Sequence, residues 1–258
     1  MRVDSLAART QNHKQAPAIV FDNVSLTLAG LPLFDRLSLT VVGGQCTCVL
    51  GPSGCGKSTL LRLISGTTSF GYQGTITIDS GAEKNKIAWM SQNDLLLPWL
   101  SLLDNILLGA KLRHEESAAL RRQARHLMVE AGLAGYEDAL PATLSGGMRQ
   151  RGALLRTLME DRPVLLMDEP FSALDALARM KLQDLSARLT RQATVLLVTH
   201  DPMEALRMGQ TIVVLSKRPA QVKSVVALAG IPPRNMDDPE IQANLSGLLS
   251  QLMDESDR

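Results

Sequence analysis

Residues 51–59 read Gly51-Pro52-Ser53-Gly54-Cys55-Gly56-Lys57-Ser58-Thr59, directly after the apolar run Cys48-Val49-Leu50. Three glycines at that spacing let a backbone leave a strand and curl tightly around an anion with its amides pointing inward. Lys57 would neutralise β and γ phosphates, Ser58 would offer its hydroxyl to Mg²⁺, and a helix starting near Ser58 would add the positive end of its dipole. A second anion site is predicted at Leu144-Ser145-Gly146-Gly147-Met148, where Ser145 and the amides of Gly146 and Gly147 open a helix. Asp168 and Glu169 follow the apolar run Val164-Leu165-Leu166-Met167, which puts both carboxylates at the carboxyl edge of a sheet. Asp168 is assigned to the metal through water and Glu169 to general base, since the base must sit one step nearer the γ-phosphate.

The elements needed to position these groups are visible in the hydrophobic pattern. Short stretches at Ile19-Val20-Phe21, Val24 to Leu28 and Leu37 to Val42, separated by Gly30-Leu31-Pro32, predict antiparallel strands. A further strand pair is predicted at Thr75 to Ile78 and Ile87 to Met90, and a helix from about Ser58 to Ser65 ended by Gly66. From Leu102 to Leu158 the texture is helical, with Leu120, Ala124, Leu127, Met128 and Ala131 on one face and Glu115 and Glu116 at its front. Apolar strands return at Val164, Val195 to Val198 and Ile212 to Leu215, with a helix carrying Leu174, Leu177, Leu182, Leu185 and Leu189 between the first two. Near-continuous apolar strands alternating with helices predict an α/β fold with a parallel sheet covered on both faces. After Leu215 a short strand, a linker through Ile231-Pro232-Pro233-Arg234 and one terminal helix are expected, with too little chain for a further β domain.

Bulk composition narrows the class. At 258 residues and 45% hydrophobic content there is ample material for a large core, and 27 basic against 26 acidic residues leave a net charge of +1. No global field recruits nucleic acid or an anionic membrane, so a nucleic-acid partner is not expected. Cys46, Cys48 and Cys55 fall within ten residues, which argues against a disulfide framework and for a reducing compartment. No second pair completes a zinc site for Cys46 and Cys48, whose alternation suits one strand. The polar residues 1–16, with Arg2, Arg9 and Lys14, are expected to be a flexible tail and contain no signal-like apolar stretch. The longest apolar region, Leu95 to Ala110, is interrupted by Pro98, Ser101, Asp104 and Asn105 and is shorter than the roughly 20 residues that span a bilayer.

In order along the chain, GPSGCGKST, Gln92, LSGGMRQR, VLLMDEP, the Ser172 to Asp175 string SALD, and His200 resemble the ATPase subunits of ABC transporters. The likeness covers roughly Ile19 to Leu215. It implies a P-loop ABC ATPase core in one domain, 17–258, with an antiparallel β subdomain, a helical subdomain at about 93–160 inserted between Gln92 and the LSGG string, and a short C-terminal tail at about 217–258. It also implies a head-to-tail homodimer in which the phosphate loop of one protomer and the Ser145 helix of the other sandwich ATP and Mg²⁺. On this resemblance Gln92 contacts Mg²⁺ and the attacking water, Asp175 couples the two sites, and His200 contacts the γ-phosphate. The family places an aromatic residue near the first strands to stack on adenine, but here that slot holds Leu28. Stacking is then weaker by roughly 1–3 kcal/mol and discrimination between ATP and GTP relaxed, while Phe34 is expected in the core.

The apolar linker Asn93-Asp94-Leu95-Leu96-Leu97-Pro98-Trp99-Leu100 is expected to receive a membrane subunit. It resembles the nitrate, sulfonate and taurine group of bacterial importers, and IAWMSQNDLLLPWLSLLDNILLGAKL is similar to ATPases associated with uptake of thiamine pyrimidine precursors (hydroxymethylpyrimidine). The implied partners are transmembrane permease subunits and a separate periplasmic or lipid-anchored solute-binding protein. The implied location is peripheral, on the cytoplasmic side of the inner membrane. The competing class is a soluble ABC ATPase of nucleic-acid repair or translation, which usually carries two cassettes or a coiled-coil insertion; an exporter often shares its chain with membrane helices.

Overall fold

The structure is a computed structural model that describes residues 16–67, 70–78 and 87–254. Most of the expected N-terminal tail therefore lies outside the described residues. The chain divides into two compact units, Met1–Ile87 with Pro163–Leu166 and Thr190–Arg258, and Ala88–Arg162 with Met167–Leu189.

The first unit begins with β1 (Ile19–Leu28) and β2 (Leu31–Val41), joined by a two-residue turn. Ala29 and Gly30 both have positive φ, 49° and 80°, the conformation that a tight hairpin turn demands. The turn is therefore one residue earlier than Gly30-Leu31-Pro32, and Leu31 and Pro32 belong to β2. The first two expected strands are one strand. Its alternation breaks where a register shift falls between Phe21 and Val24, with Asn23 at φ 52°. Such an irregularity resets which side chains face inward, so Phe21 and Val24 are both buried although three positions apart. Gly74 of β4 (Tyr72–Ile78) accommodates it, since a Cβ there would lie 2.4 Å from the Asn23 carbonyl oxygen.

β4 pairs antiparallel with β1, giving the sheet order β2-β1-β4. It does not pair with β5 (Ile87–Met90), which belongs to the other sheet. Two neighbouring apolar runs look like a hairpin in sequence, but the run's exposed and half-buried pattern suits the small sheet while β5 carries buried Ala88 and Met90.

The second sheet has the order β5-β6-β7-β3-β8-β9, with β3 at Cys46–Leu50, β6 at Val164–Asp168, β7 at Thr194–Val198, β8 at Thr211–Leu215 and β9 at Val222–Ala227. β3 runs parallel to both β7 and β8, and β9 closes the edge antiparallel. Every residue of β6 and β7 is buried, as a strand covered on both faces requires. The first unit also holds α1 (Lys57–Ser65), with Leu60 and Leu61 fully buried and Gly66 at φ 63° closing its end. Its remaining helices are α7 (Pro202–Met208) and α8 (Pro239–Asp254). In the linker before α8, Arg234 is buried and donates to the carbonyls of Leu206, Gly209 and Ala229 at 2.7–2.9 Å. A cation can be buried there because carbonyl dipoles replace its water. Burial lowers its pKa all the same.

The second unit carries α2 (Leu102–Ile106), α3 (Leu108–Leu112), α4 (Ala118–Glu130), α5 (Gly146–Leu158) and α6 (Ala176–Leu189). Ser117 caps α4 by accepting from the Leu120 amide, so Glu115 and Glu116 precede the helix and pair instead with Arg113 and Arg121. Leu174 likewise precedes α6, and Leu177 is 74% exposed while Leu182 and Leu185 are buried. A leucine tally marks the helix but not which face is covered. Among the described residues no helix is long and apolar enough to cross a membrane.

Candidate functional site

In the first unit, the phosphate loop leaves the carboxyl end of β3. Gly54 and Gly56 adopt φ 79° and 109°, a region that side-chain-bearing residues avoid. Gly56 has a second constraint, because a Cβ would lie 2.7 Å from the Phe34 ring. Phe34 is buried in β2 directly against the loop, in the core role expected of it. The Lys57 side chain is itself buried and its ammonium donates to the Gly51 carbonyl at 2.7 Å and the Pro52 carbonyl at 3.0 Å. A cation is thus held within the curl formed by Pro52, Ser53, Gly54, Cys55 and Gly56. Ser58 and Thr59 follow on the first turn of α1 and are partly exposed. Burial raises the Cys55 thiol pKa, although Lys57 and Arg218 oppose that shift. Cys46, Cys48 and Cys55 are free thiols.

His200 belongs to the same edge. β7 is parallel to β3, and beyond its end the Thr199 amide donates to the Val49 carbonyl at 3.2 Å. His200 is the next residue and is exposed. The turn into α7 is fixed by Thr199, whose hydroxyl accepts from the Asp201 amide, and by Asp201, which caps the helix.

The second unit gathers the other predicted residues. Asp168 ends β6 and is buried; Glu169 follows with φ 48°, a conformation uncommon outside glycine and typical of functional turns. Gln150, buried in α5, explains how that turn is held. Its Nε2 donates to the Glu169 carbonyl at 3.0 Å and the Ser172 hydroxyl at 3.2 Å, and its Oε1 accepts from the Ala173 amide at 2.8 Å. Gly147 allows the close approach, since a Cβ would lie 3.2 Å from the Ala173 carbonyl. The turn after Glu169 and the start of α5 are therefore one assembly.

Ser145 caps α5 by accepting from the Met148 amide at 3.2 Å, and Ser145 and Gly146 are exposed. The helix presents an open amino end of the kind that receives anions. Asp175 accepts from the Ala178 amide at 2.9 Å at the head of α6. That bond, ahead of smaller contributions, lowers its carboxyl pKa.

Gln92 is exposed and begins a loop that α5 holds firmly. Arg156 donates to the Asp94 and Leu95 carbonyls at 2.7 and 2.8 Å. Asn105, fully buried in α2, accepts from the Leu97 amide at 2.7 Å and donates to the carbonyls of Leu97, Leu100 and Ser101 at 3.0–3.1 Å. Leu96 is buried, while Leu95 and Trp99 are 61% and 71% exposed. Gln150, Arg156 and Asn105 were invisible as functional residues in sequence. Gln150 stands inside the LSGGMRQR string and Asn105 interrupts the apolar run Leu95 to Ala110, but Arg156 carries no signal in the sequence.

The family profile described as "ABC transporter" matches residues 34–172. An "Uncharacterized ABC transporter ATP-binding protein" of Haemophilus influenzae is 43% identical over 234 residues, covering 90% of this chain and 96% of the relative. "Aliphatic sulfonates import ATP-binding protein SsuB 2" of Burkholderia cenocepacia is 38% identical over 231 residues, 88% of this chain and 84% of the relative. Among solved structures, a dimeric ATP-binding cassette in a post-hydrolysis state bound to ADP and Pi superposes with TM-score 0.72 at 28% identity, covering 83% of this chain and all of that one. A phosphate loop, a strand-end carboxylate pair and a serine-capped Gly-Gly helix, in a chain so matched, place it plainly: it belongs to the ABC transporter family, as an ATP-binding, ATP-hydrolysing cassette.

Proposed function

We propose that the chain is the motor subunit of a bacterial ABC importer, coupling ATP binding and hydrolysis to uptake of a small solute. The observation that carries this is the loop after Gln92, which shows exposed Leu95 and Trp99 while its backbone is fixed by Asn105 and Arg156. An apolar surface held rigid by buried hydrogen bonds suits a permease docking site. The relatives named as aliphatic sulfonate importers favour a solute of the nitrate, sulfonate and taurine type. The branch for thiamine pyrimidine precursors rests on the string from Ile87 to Leu112, and solute-uptake assays decide between them.

In this mechanism the Lys57 ammonium exchanges the Gly51 and Pro52 carbonyls for the β and γ phosphates, and the amides from Pro52 to Thr59 line the rest. His200 contacts the γ-phosphate, and Glu169 takes a proton from the attacking water that Gln92 orients. Ser58, Gln92 and Asp168 would hold Mg²⁺. A hydroxyl, an amide and a carboxylate are hard oxygen donors that suit the ion, and so few protein ligands leave room for water and phosphate oxygens. Among the described residues no group of three His, Cys, Asp or Glu offers a denser site. Bound there, Mg²⁺ neutralises phosphate charge. A second copy of the chain, arranged head to tail, presents the Ser145, Gly146 and Gly147 helix end, with Asp175 coupling the two sites. Tighter ATP binding to the closed dimer supplies the drive that moves the permease, and the subunit works peripherally at the cytoplasmic face.

Affinity capture of the tagged chain from detergent-solubilised native membranes, followed by mass spectrometry, tests this. Recovery of a multi-spanning permease and a solute-binding protein is expected. Recovery of soluble or nucleic-acid-associated proteins alone would favour the repair or translation class.

A further inference from the structure

The Lys57 contacts account for two carbonyls of the phosphate loop, Gly51 and Pro52. A third, that of Gly54, is bonded from outside by the Arg218 guanidinium through Nε. Arg218 stands in the connection between β8 and β9, which no part of the mechanism above uses. We infer that Arg218 is a positioning residue for the phosphate loop, holding its curl in the phosphate-binding shape when Lys57 has left the loop carbonyls for the nucleotide.

The connection is a rigid mount. The Ser216 amide donates to the Gln221 carbonyl and the Gln221 amide to the Ser216 hydroxyl, both at 3.0 Å. Ala220 fastens it to β2, donating to the Leu33 carbonyl at 2.8 Å and accepting from Asp35, while the Gln221 side chain donates to the Asp35 carboxylate at 3.0 Å. Phe34, between those β2 contacts, is the ring that meets Gly56. The phosphate loop is thereby gripped at Gly56 by Phe34 and at Gly54 by Arg218, both tied to the same β2 segment. A cavity of about 480 Å³, lined by Pro52, Ser53, Gly54, Cys55, Lys217 and Arg218, lies between connection and loop. Solvent there would leave the Gly54 carbonyl free to rotate once its arginine is gone. With φ at 79°, Gly54 has wide conformational freedom to lose or keep its curl.

The two cations differ in when they act. Without nucleotide, Lys57 and Arg218 both restrain the loop, so loss of Arg218 is partly covered. With nucleotide, Lys57 is committed to phosphate; the Pro52 and Gly56 carbonyls keep the Cys55 and Leu60 amides, and the Gly54 carbonyl between them is held from outside by Arg218. Removing it should therefore weaken nucleotide affinity rather than the fold or the chemical step.

The inference rests on the ATPase mechanism, and one set of measurements separates the two. ATP binding to the full chain is measured by calorimetry in EDTA, steady-state hydrolysis with Mg²⁺, and melting temperature without nucleotide, for wild type, Arg218→Ala and Arg218→Lys. Arg218→Ala is expected to raise Kd and KM about tenfold, the loss of one charge-assisted hydrogen bond, with kcat within about twofold and the melting temperature almost unchanged. Arg218→Lys, which keeps the charge without the planar fork, should recover part of the affinity. Wild-type affinity in Arg218→Ala, or a kcat loss without a KM change, would overturn the inference while leaving the ATPase mechanism standing. A wild-type chain that bound no ATP would overturn both.

Discussion

The Arg149 guanidinium donates from Nε to the Asp94 carboxylate at 3.0 Å and from Nη1 to the Leu144 carbonyl at 2.8 Å. One side chain thus fastens the loop after Gln92 to the residue before Ser145. Under the proposed function, a movement imposed on that loop by a docked permease would reach the Ser145 helix end, because both are bonded to the same guanidinium.

Breaking this pair should uncouple rather than unfold. Both side chains are about one-third exposed, so Asp94→Ala should cost only about 0.5–1 kcal/mol of stability. ATPase stimulation by the reconstituted permease is expected to fall several-fold while hydrolysis by the isolated subunit changes little. The charge swap Asp94→Arg with Arg149→Asp should recover part of the stimulation. Unchanged stimulation in Asp94→Ala would remove this pair from the coupling route.

Asn105→Ala should destabilise the second unit by about 2–4 kcal/mol, because the Leu97 amide and several carbonyls lose a buried partner together. Urea denaturation gives the value, and fluorescence at Trp99 should report a looser loop before global unfolding. A loss below about 0.5 kcal/mol would mean that water replaces the amide.

Glu169→Gln keeps size and hydrogen-bonding capacity but removes the proton acceptor. Hydrolysis should drop by at least about 100-fold, and size-exclusion chromatography with ATP and Mg²⁺ should show a dimer. A monomer with verified bound nucleotide would count against the composite site.

Leu28 is the last residue of β1, opposite Leu31 across the hairpin, and is half-buried. With no ring to stack on a base, wild type should distinguish ATP from GTP by only a few-fold, and Leu28→Tyr should tighten ATP binding by about 1–3 kcal/mol. Competition binding checks both statements. Strong ATP preference in wild type would show that other contacts read the base.

Asp104 accepts hydrogen bonds from Lys111 and Arg121, and the Lys111 bond leads the effects that lower its carboxyl pKa. A lowered folded pKa adds stability above the unfolded value near 4 and loses it as pH falls through the folded value. Solvent screening keeps the effect below about 1 kcal/mol. Chemical denaturation from pH 6 to 3 should show a shallower acid loss in Asp104→Asn than in wild type.

The sequence by itself determined the phosphate loop, the Ser145 helix start, the Asp168-Glu169 strand end and the alternation of buried strands with helices. These are local: glycine spacing permits only certain curls, a serine before two glycines caps whatever helix follows, and a strand buried on both faces must be apolar throughout. Tertiary structure decided what depends on partners distant in the chain. β4 pairs with β1 while β5 joins another sheet, because pairing is set by which surfaces are buried and not by sequence order. The bulge at Asn23 joins two apparent strands into one, since a single positive φ shifts the alternation without marking the residue types. Gln150, Arg149 and Asn105 acquire their work from a carbonyl, a carboxylate and an amide 19, 55 and 8 residues away, respectively. Arg218 does so across 164 residues. A polar side chain carries no local sign of which distant backbone group it will satisfy; burial of that group against it, once the chain has folded, is what makes the choice.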